Sequence, residues 1–262
     1  MSVVWITGAS SGIGEALAKQ YAKLGNQLVL SARREPELER VKQACVDLGA
    51  SPSDILVLPL DVTEHASMAE KVFAVTAHFK TIDVLINNAG ISQRSLCLDT
   101  DLSVYQTLLD VDVLGQIALT KQVLPIMVKQ GSGHIAVTSS VAGKVGVKWR
   151  TGYCAAKHAV MGFFDALRAE VAEYGIQVST ITPGFIKTDI SKNAVTANGE
   201  NFGVDDDDIK GGMDVNKCAQ VIIKQLGKGK KEIAVGEGLS MVALTLKRFF
   251  PSVLFRMVEK KK

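Results

Sequence analysis

Seven short runs rich in Val, Ile and Leu alternate along the chain with segments whose apolar residues recur at three-four spacing. A parallel pair of strands needs a crossover, usually a helix, so this alternation predicts a parallel sheet with helices on both faces. The strand-like runs are residues 3–7, 27–31, 55–60, 82–86, 134–138, 176–182 and 232–235. Several are almost continuously apolar, as strands covered on both faces should be. Helices are expected over 13–24, along Leu38, Val41, Cys45 and Leu48, and along Met68, Val72, Val75 and Phe79. Further ones are expected over 102–129 (with Pro125 near the end), over 153–174, and along Val215, Ala219, Ile222 and Leu226. No repeat or linker interrupts the series. The expected fold is α/β, a doubly wound parallel sheet of about seven strands in a single domain, residues 1–238.

Two segments break the pattern. Residues 191–212 are polar, contain Gly199, Gly203, Gly211 and Gly212, and carry four consecutive aspartates at 205–208. They read as a mobile loop with a solvated tip. Residues 239–262 form an apolar and basic tail. Met241, Val242, Leu244, Phe249, Phe250, Val253, Leu254, Phe255 and Met257 interleave with Lys247, Arg248, Arg256 and the lysines at 260–262. Such a tail can lie at a membrane interface, cap a pocket or pack in an oligomer. Pro251 argues against one continuous helix.

Composition removes several function classes. The 262 residues carry 30 basic and 27 acidic side chains, a net charge of +3. That balance does not suit a protein relying on phosphate neutralisation, so no nucleic-acid partner is expected. Cys45, Cys97, Cys154 and Cys218 are scattered, as are the four histidines, and neither CxxC nor HExxH occurs. No metal site is expected, and the thiols read as free in a reducing compartment. The strand at Val3 follows Met1 without a basic region and long apolar stretch, and no uninterrupted apolar run approaches ~20 residues. The expected location is cytoplasmic, with membrane association possible only through the tail.

The chemistry-bearing residues fall at strand ends. Gly8-Ala9-Ser10-Ser11-Gly12-Ile13-Gly14 joins the first strand to the first helix. Backbone N–H groups at a helix N-terminus attract phosphate, and glycine lets the backbone turn and approach a ligand. The turn reads either as the phosphate-binding loop of a Rossmann-type sheet or as a purely structural strand-to-helix junction, since the spacing is GxxxGxG and not GxGxxG. The second strand ends at Ser31-Ala32-Arg33-Arg34, without an acid at Ser31 or Ala32 to take ribose hydroxyls. Arg33 and Arg34 instead suit the 2′-phosphate of NADP(H). Asp61, after the third strand, is placed either to accept from an adenine amino group or to close a turn. Tyr153 and Lys157 share a helix face, and Ser140 follows the fifth strand, thirteen residues before Tyr153.

These residues, in this order, resemble the short-chain dehydrogenase/reductase family over almost the whole chain. The match comprises Gly8-x-x-x-Gly12-x-Gly14, Asp61-Val62, Asn87-Asn88-Ala89-Gly90, Ser140, Tyr153-x-x-x-Lys157, and Pro183-Gly184 with Thr188. Within the family, Ser31–Arg34, residues 88–97 and residues 153–158 resemble the dehydrogenase/reductase SDR family member 7 type, associated with steroid-like, retinoid and quinone carbonyls. The resemblance implies hydride transfer between a nicotinamide and a carbonyl or secondary alcohol. Tyr153 would exchange the proton with the substrate oxygen, Lys157 would favour the phenolate and bind the nicotinamide ribose, and Ser140 would donate to the developing alkoxide. Ser10, Ser11, Ile13, Asn88, Ala89, Gly90, Pro183, Gly184, Ile186 and Thr188 would line the cofactor, and residues 191–212 would cover the substrate. A homodimer or homotetramer is implied, with helices 102–129 and 153–174 as the expected interface.

One position departs from the family. Where an asparagine is usual, the chain reads Val111-Asp112-Val113-Leu114-Gly115. An ionised Asp112 accepts hydrogen bonds but cannot donate, and its charge opposes the pull of Lys157 on Tyr153. Reduced or alkaline-shifted activity is the expectation, with a weakly catalytic, regulatory cofactor-binding module as the alternative. Epimerisation or elimination on the same fold is a further alternative.

Overall fold

The computed structural model describes residues 1–204 and 207–260. The expected aspartate run at 205–208 and the terminal lysines therefore lie partly outside the described residues. Seven parallel strands form one sheet in the order β3-β2-β1-β4-β5-β6-β7. They are β1 Val3–Thr7, β2 Gln27–Ser31, β3 Ile55–Val57, β4 Val84–Asn87, β5 Gly133–Thr138, β6 Ile176–Pro183 and β7 Glu232–Val235. The order reverses between β1 and β4, which opens a crevice at the carboxyl ends of these strands, where ligands bind in such sheets. Between them lie α1 Gly12–Lys23, α2 Glu35–Val46, α3 Met68–Phe79, α4 Leu102–Leu109, α5 Gly115–Gln130 and α6 Thr151–Glu170. A four-residue turn of helix, α7 Asp207–Lys210, α8 Val215–Leu226, α9 Leu239–Phe249 and α10 Pro251–Glu259 complete the chain.

Strand alternation divides the core in two. Val4 and Ile6 of β1 face α1, α2 and α8, in a cluster with Leu17, Leu38, Val41, Ala219 and Ile222. Val3 and Trp5 face the opposite side, with Val72 of α3, Leu119 and Val123 of α5, and Val160 and Phe164 of α6. Each fully buried side chain of this size contributes about 1.5–3 kcal/mol of transfer free energy. Trp5 also donates from Nε1 to Ser31 Oγ at 2.9 Å, so the Ser31 side chain points into the core.

Three expectations are corrected. The third strand is regular only to Val57, although its ladder runs on past Pro59, whose missing N–H falls on the unpaired outer edge of the sheet. Leu58 and Leu60 still donate to Leu30 O and Ala32 O, each at 3.0 Å. The helix expected over 102–129 is interrupted by a π-helical turn at Asp110–Leu114, which separates α4 from α5. Together they form a helical run, Leu102–Gln130, long and apolar enough to cross a membrane by length and composition. Here Leu108, Leu119, Val123 and Met127 are buried in the protein. The segment 191–212 is not structureless. Val195 bridges both Gln93 and Asn201, and Ser191, Ala194 and Ile209 are buried.

The tail does break at Pro251. Leu254 of α10 packs on Val141 and Val145 just beyond β5, with Met241, Leu244 and Val258 around it. All four cysteines are free thiols.

Candidate active site

The glycine turn is built so that only glycine fits. Gly8 has φ +64° and Gly12 φ +56°, in the left-handed region. A Cβ on Gly8 would come within 2.9 Å of the Ala89 Cα, and one on Gly14 would collide with the Gly8 carbonyl oxygen. Ser11 precedes the first turn of α1 without a side-chain cap. The N–H groups of Gly12, Ile13 and Gly14 are thus first-turn donors, pointing into the crevice with the positive end of the helix dipole. Ser10 is held by its carbonyl, which accepts from Arg40 at 3.1 Å.

The turn after β4 is stitched to β1 and β5. Thr7 Oγ1 accepts from the N–H of Asn88 and of Ala89, each at 3.0 Å. Asn88 donates from Nδ2 to Thr7 O at 3.2 Å and accepts from Thr138 Oγ1 at 3.2 Å. The far side of the crevice is the segment after β6. Pro183 ends that strand, Gly184 donates to Val235 O at 2.8 Å, Ile186 is buried, and Thr188 meets Gly12. A cavity of about 560 Å³ opens against Gly12, Ala16 and Thr188, with Lys187, Ile209 and Asn216 across from them. It lies on the glycine-turn side of the site and not over Tyr153.

Arg33 and Arg34 are exposed at the end of β2, and neither makes an ion pair among the described residues. Arg40 is committed instead to Glu15 and Glu37. Asp61 does close a turn: its Oδ1 accepts from Thr63 N–H at 3.0 Å and Thr63 Oγ1 at 2.8 Å. Its other oxygen makes no hydrogen bond among the described residues. Val62 is buried against Gly115, where a Cβ would meet the Val62 carbonyl oxygen at 2.7 Å. A dinucleotide fits this donor set: an N–H cradle that a Cβ would fill, two open guanidinium groups and a carboxylate oxygen beside the crevice.

The expected catalytic residues come together beyond β5. Ser140 is half-buried and begins a 3₁₀ turn, Val141–Gly143, its Oγ accepting from Ala142 N–H at 3.1 Å. Its own hydroxyl proton is not used by that bond. Gly143 lets this turn lie against α6 at the backbone of Lys157, and Ser139 Oγ donates to Lys157 O at 3.1 Å. Tyr153 and Lys157 are both buried, with the Lys157 ammonium 5.6 Å from the Tyr153 ring centre. The Tyr153 hydroxyl makes no hydrogen bond among the described residues.

Lys157 donates to Thr138 O at 3.2 Å and pairs with Asp112 at 3.4 Å. Asp112 sits in the π turn, fully buried, and its Oδ1 accepts from Ile91 N–H at 2.8 Å. Burial raises the Asp112 carboxyl above its ordinary range, and the pull of Lys157 and the Ile91 N–H only partly offsets this. Gly90 is the close-approach point, since a Cβ there would come within 2.9 Å of Asp112 Oδ1.

The motif reading places Thr7 at the head of the glycine turn and Gln93 within residues 88–97 without giving either a role, and it does not name Thr138 as a site residue. Thr7 and Thr138 had a usable signal, as threonines at the carboxyl ends of strands bordering the crevice. Gln93 had none, because its contacts lie far away in sequence.

Comparison with known proteins agrees with this geometry. The short chain dehydrogenase family pattern matches residues 2–199. The chain is 44% identical over 252 residues to human dehydrogenase/reductase SDR family member 7, covering 95% of this chain and 74% of that protein. It is 42% identical over 260 residues to the Drosophila melanogaster SDR family protein 7-like, covering 99% and 80%. Among solved structures, a short-chain dehydrogenase from Streptomyces avermitilis superimposes with a TM-score of 0.84 at 29% identity, covering 99% and 97% of the two chains. A metagenomic short-chain oxidoreductase in complex with NADP gives a TM-score of 0.73 at 25% identity, covering 89% and 96%. With its glycine turn, its Ser140, Tyr153 and Lys157 and nearly all of its length accounted for, the chain belongs to the short-chain dehydrogenase/reductase family of oxidoreductases.

Proposed function

We propose that the protein is an NADP(H)-dependent oxidoreductase that interconverts a carbonyl and a secondary alcohol on a lipophilic small molecule. The observation that carries the reading is the convergence of Ser140, Tyr153 and Lys157 at the carboxyl end of β5, beside the glycine turn. The bound nicotinamide supplies or accepts the hydride. The free Tyr153 hydroxyl gives its proton to the carbonyl oxygen, or takes it back from the alcohol. The Ser140 hydroxyl donates to the same oxygen as negative charge develops on it. Lys157 holds positive charge beside the Tyr153 ring, anchored by Thr138 O. The NADP(H) preference is supported by the two open guanidinium groups of Arg33 and Arg34 and by the absence of an acid at Ser31 or Ala32.

A weakly catalytic cofactor-binding module is the second reading, favoured by the buried Asp112–Lys157 pair. Initial-rate oxidation of NADPH, with NADH in parallel, separates the two over steroid ketones, retinal, quinones and α-dicarbonyls. Turnover of at least one class with NADPH supports the reductase. Cofactor quenching of Trp fluorescence with no turnover anywhere supports the module.

The tail adds a place of action: a cytoplasmic enzyme resting on an anionic membrane surface. Leu239, Val242, Phe249, Phe250, Val253 and Met257 are exposed on and between α9 and α10. Residues 239–262 carry six basic side chains against one acidic, whereas residues 1–238 carry 24 basic and 26 acidic. Like charge disfavours pairing two tails and favours an anionic bilayer, into whose headgroup region the apolar stripe can sink. Flotation with anionic vesicles tests this. Loss of flotation after truncation at Gly238 supports it, and equal flotation of the truncated chain refutes it. The homodimer or homotetramer contact is assigned instead to α4, α5 and α6, with Leu102 and Leu109 exposed on α4 and Leu114 exposed in the π turn that joins it to α5.

A further inference from the structure

Helix α6 carries Tyr153 in its first turn, where the backbone N–H groups have no partner within the helix. The residue before it, Arg150, makes no side-chain cap. Arginine has no acceptor and cannot supply one. The cap comes from Gln93, 59 residues earlier in sequence. Its Oε1 accepts from Gly152 N–H at 2.7 Å and from Tyr153 N–H at 3.3 Å. Gln93 is fully buried. Its Nε2 donates to Ser95 Oγ at 3.0 Å and to Thr100 Oγ1 at 3.4 Å, which fixes the amide with its oxygen toward α6. Gly152 leaves room for this approach, since a Cβ there would meet Gln93 Oε1 at 3.1 Å.

The main chain around Gln93 faces the other way. Ser92 O accepts from Val195 N–H, and Arg94 N–H donates to Val195 O, each at 2.8 Å. The strand-like stretch at Val195 is thereby paired to the residues flanking the one that caps the catalytic helix. The arrangement is reinforced by Arg94, stacked 4.4 Å over Trp149, whose φ of +65° is a strained conformation for a bulky side chain. Ser95 N–H donates to Trp149 O at 3.0 Å.

We propose that Gln93 is a positioning residue for Tyr153, and that seating of residues 194–196 on Ser92–Arg94 is transmitted through it to the catalytic helix. The proposal rests on the role given to Tyr153 above. Its test therefore includes a readout that needs no substrate.

Gln93→Met removes the acceptor. Gln93→Asn keeps the amide but falls one methylene short. Gln93→Glu keeps both acceptor and reach. Stranding buried N–H groups is expected to lower kcat by about tenfold or more in the Met and Asn variants, with NADPH affinity within about twofold of wild type. The Glu variant keeps the cap but not the Nε2 donor to Ser95 and Thr100, so it is read by exchange and not by kcat. Amide hydrogen exchange at Gly152 and Tyr153 should quicken by about tenfold in the Met and Asn variants and not in the Glu variant. Val195→Pro, which removes the N–H paired with Ser92, should quicken exchange at the same two amides.

Asn and Met variants with wild-type exchange and kcat would overturn the positioning role, as would a Glu variant whose Gly152 and Tyr153 amides exchange as fast as those of the Asn variant. Unchanged exchange at Gly152 and Tyr153 in Val195→Pro would overturn the coupling. If the wild type turns over no carbonyl, the exchange measurements still decide the proposal, and the failure belongs to the oxidoreductase reading.

Discussion

Asp112 Oδ2 lies 3.4 Å from Lys157 Nζ with both side chains buried, so a carboxylate sits within ion-pair distance of the lysine proposed to act with Tyr153. Its charge opposes the effect of Lys157 on Tyr153. Asp112→Asn is expected to raise turnover or move the pH–rate profile for alcohol oxidation to lower pH. Rates measured from about pH 5 to 10 with saturating cofactor check this. An unchanged rate and profile would remove Asp112 from the mechanism.

The same pair carries a stability prediction. Burial raises the Asp112 carboxyl in the folded state, so the folded protein holds this proton to higher pH than the unfolded chain does. Its contribution is most favourable at low pH and declines as pH rises through the folded-state value. Urea unfolding of Asp112→Asn across pH should show a shallower decline than wild type from the carboxylate range upward. A parallel decline would show that the carboxyl does not titrate as its burial requires.

The proposed NADP(H) preference assigns Arg33 and Arg34 charge-assisted bonds to the 2′-phosphate. Replacing both with Ala should raise KM for NADPH by about 10–100-fold and leave NADH almost unaffected. Equal rates with the two cofactors in the wild type would contradict their assignment.

Gly14 faces the Gly8 carbonyl oxygen and, at 2.8 Å, the Asn88 amide nitrogen. Gly14→Ala should cost about 1–3 kcal/mol in overpacking and open the N–H cradle. Thermal unfolding and NADPH binding should both weaken. A variant with unchanged melting temperature and unchanged affinity would mean that the turn has slack the packing does not suggest.

The sheet was legible because its strands are apolar on both faces and its helices keep a three-four rhythm. The glycine turn, Ser140, Tyr153 and Lys157 were legible because strand ends place them at one edge of the sheet. The π turn at Asp110–Leu114 was not, since one additional residue in a helical turn leaves no mark on an amphipathic pattern. Nor was the cap from Gln93, which depends on a contact made only after β4 and α6 are side by side. Asp61 could be read from sequence as a turn aspartate or an adenine acceptor. The structure engages one of its oxygens in the turn and leaves the other open.

The most direct measurement is Tyr153→Phe, assayed for turnover and for NADPH binding on the same preparation. With the proton donor removed and the fold intact, kcat should fall by at least about 100-fold while the dissociation constant for NADPH stays within about twofold. Turnover within about threefold of wild type on the same carbonyl would contradict the assignment of Tyr153 as the group that delivers the proton.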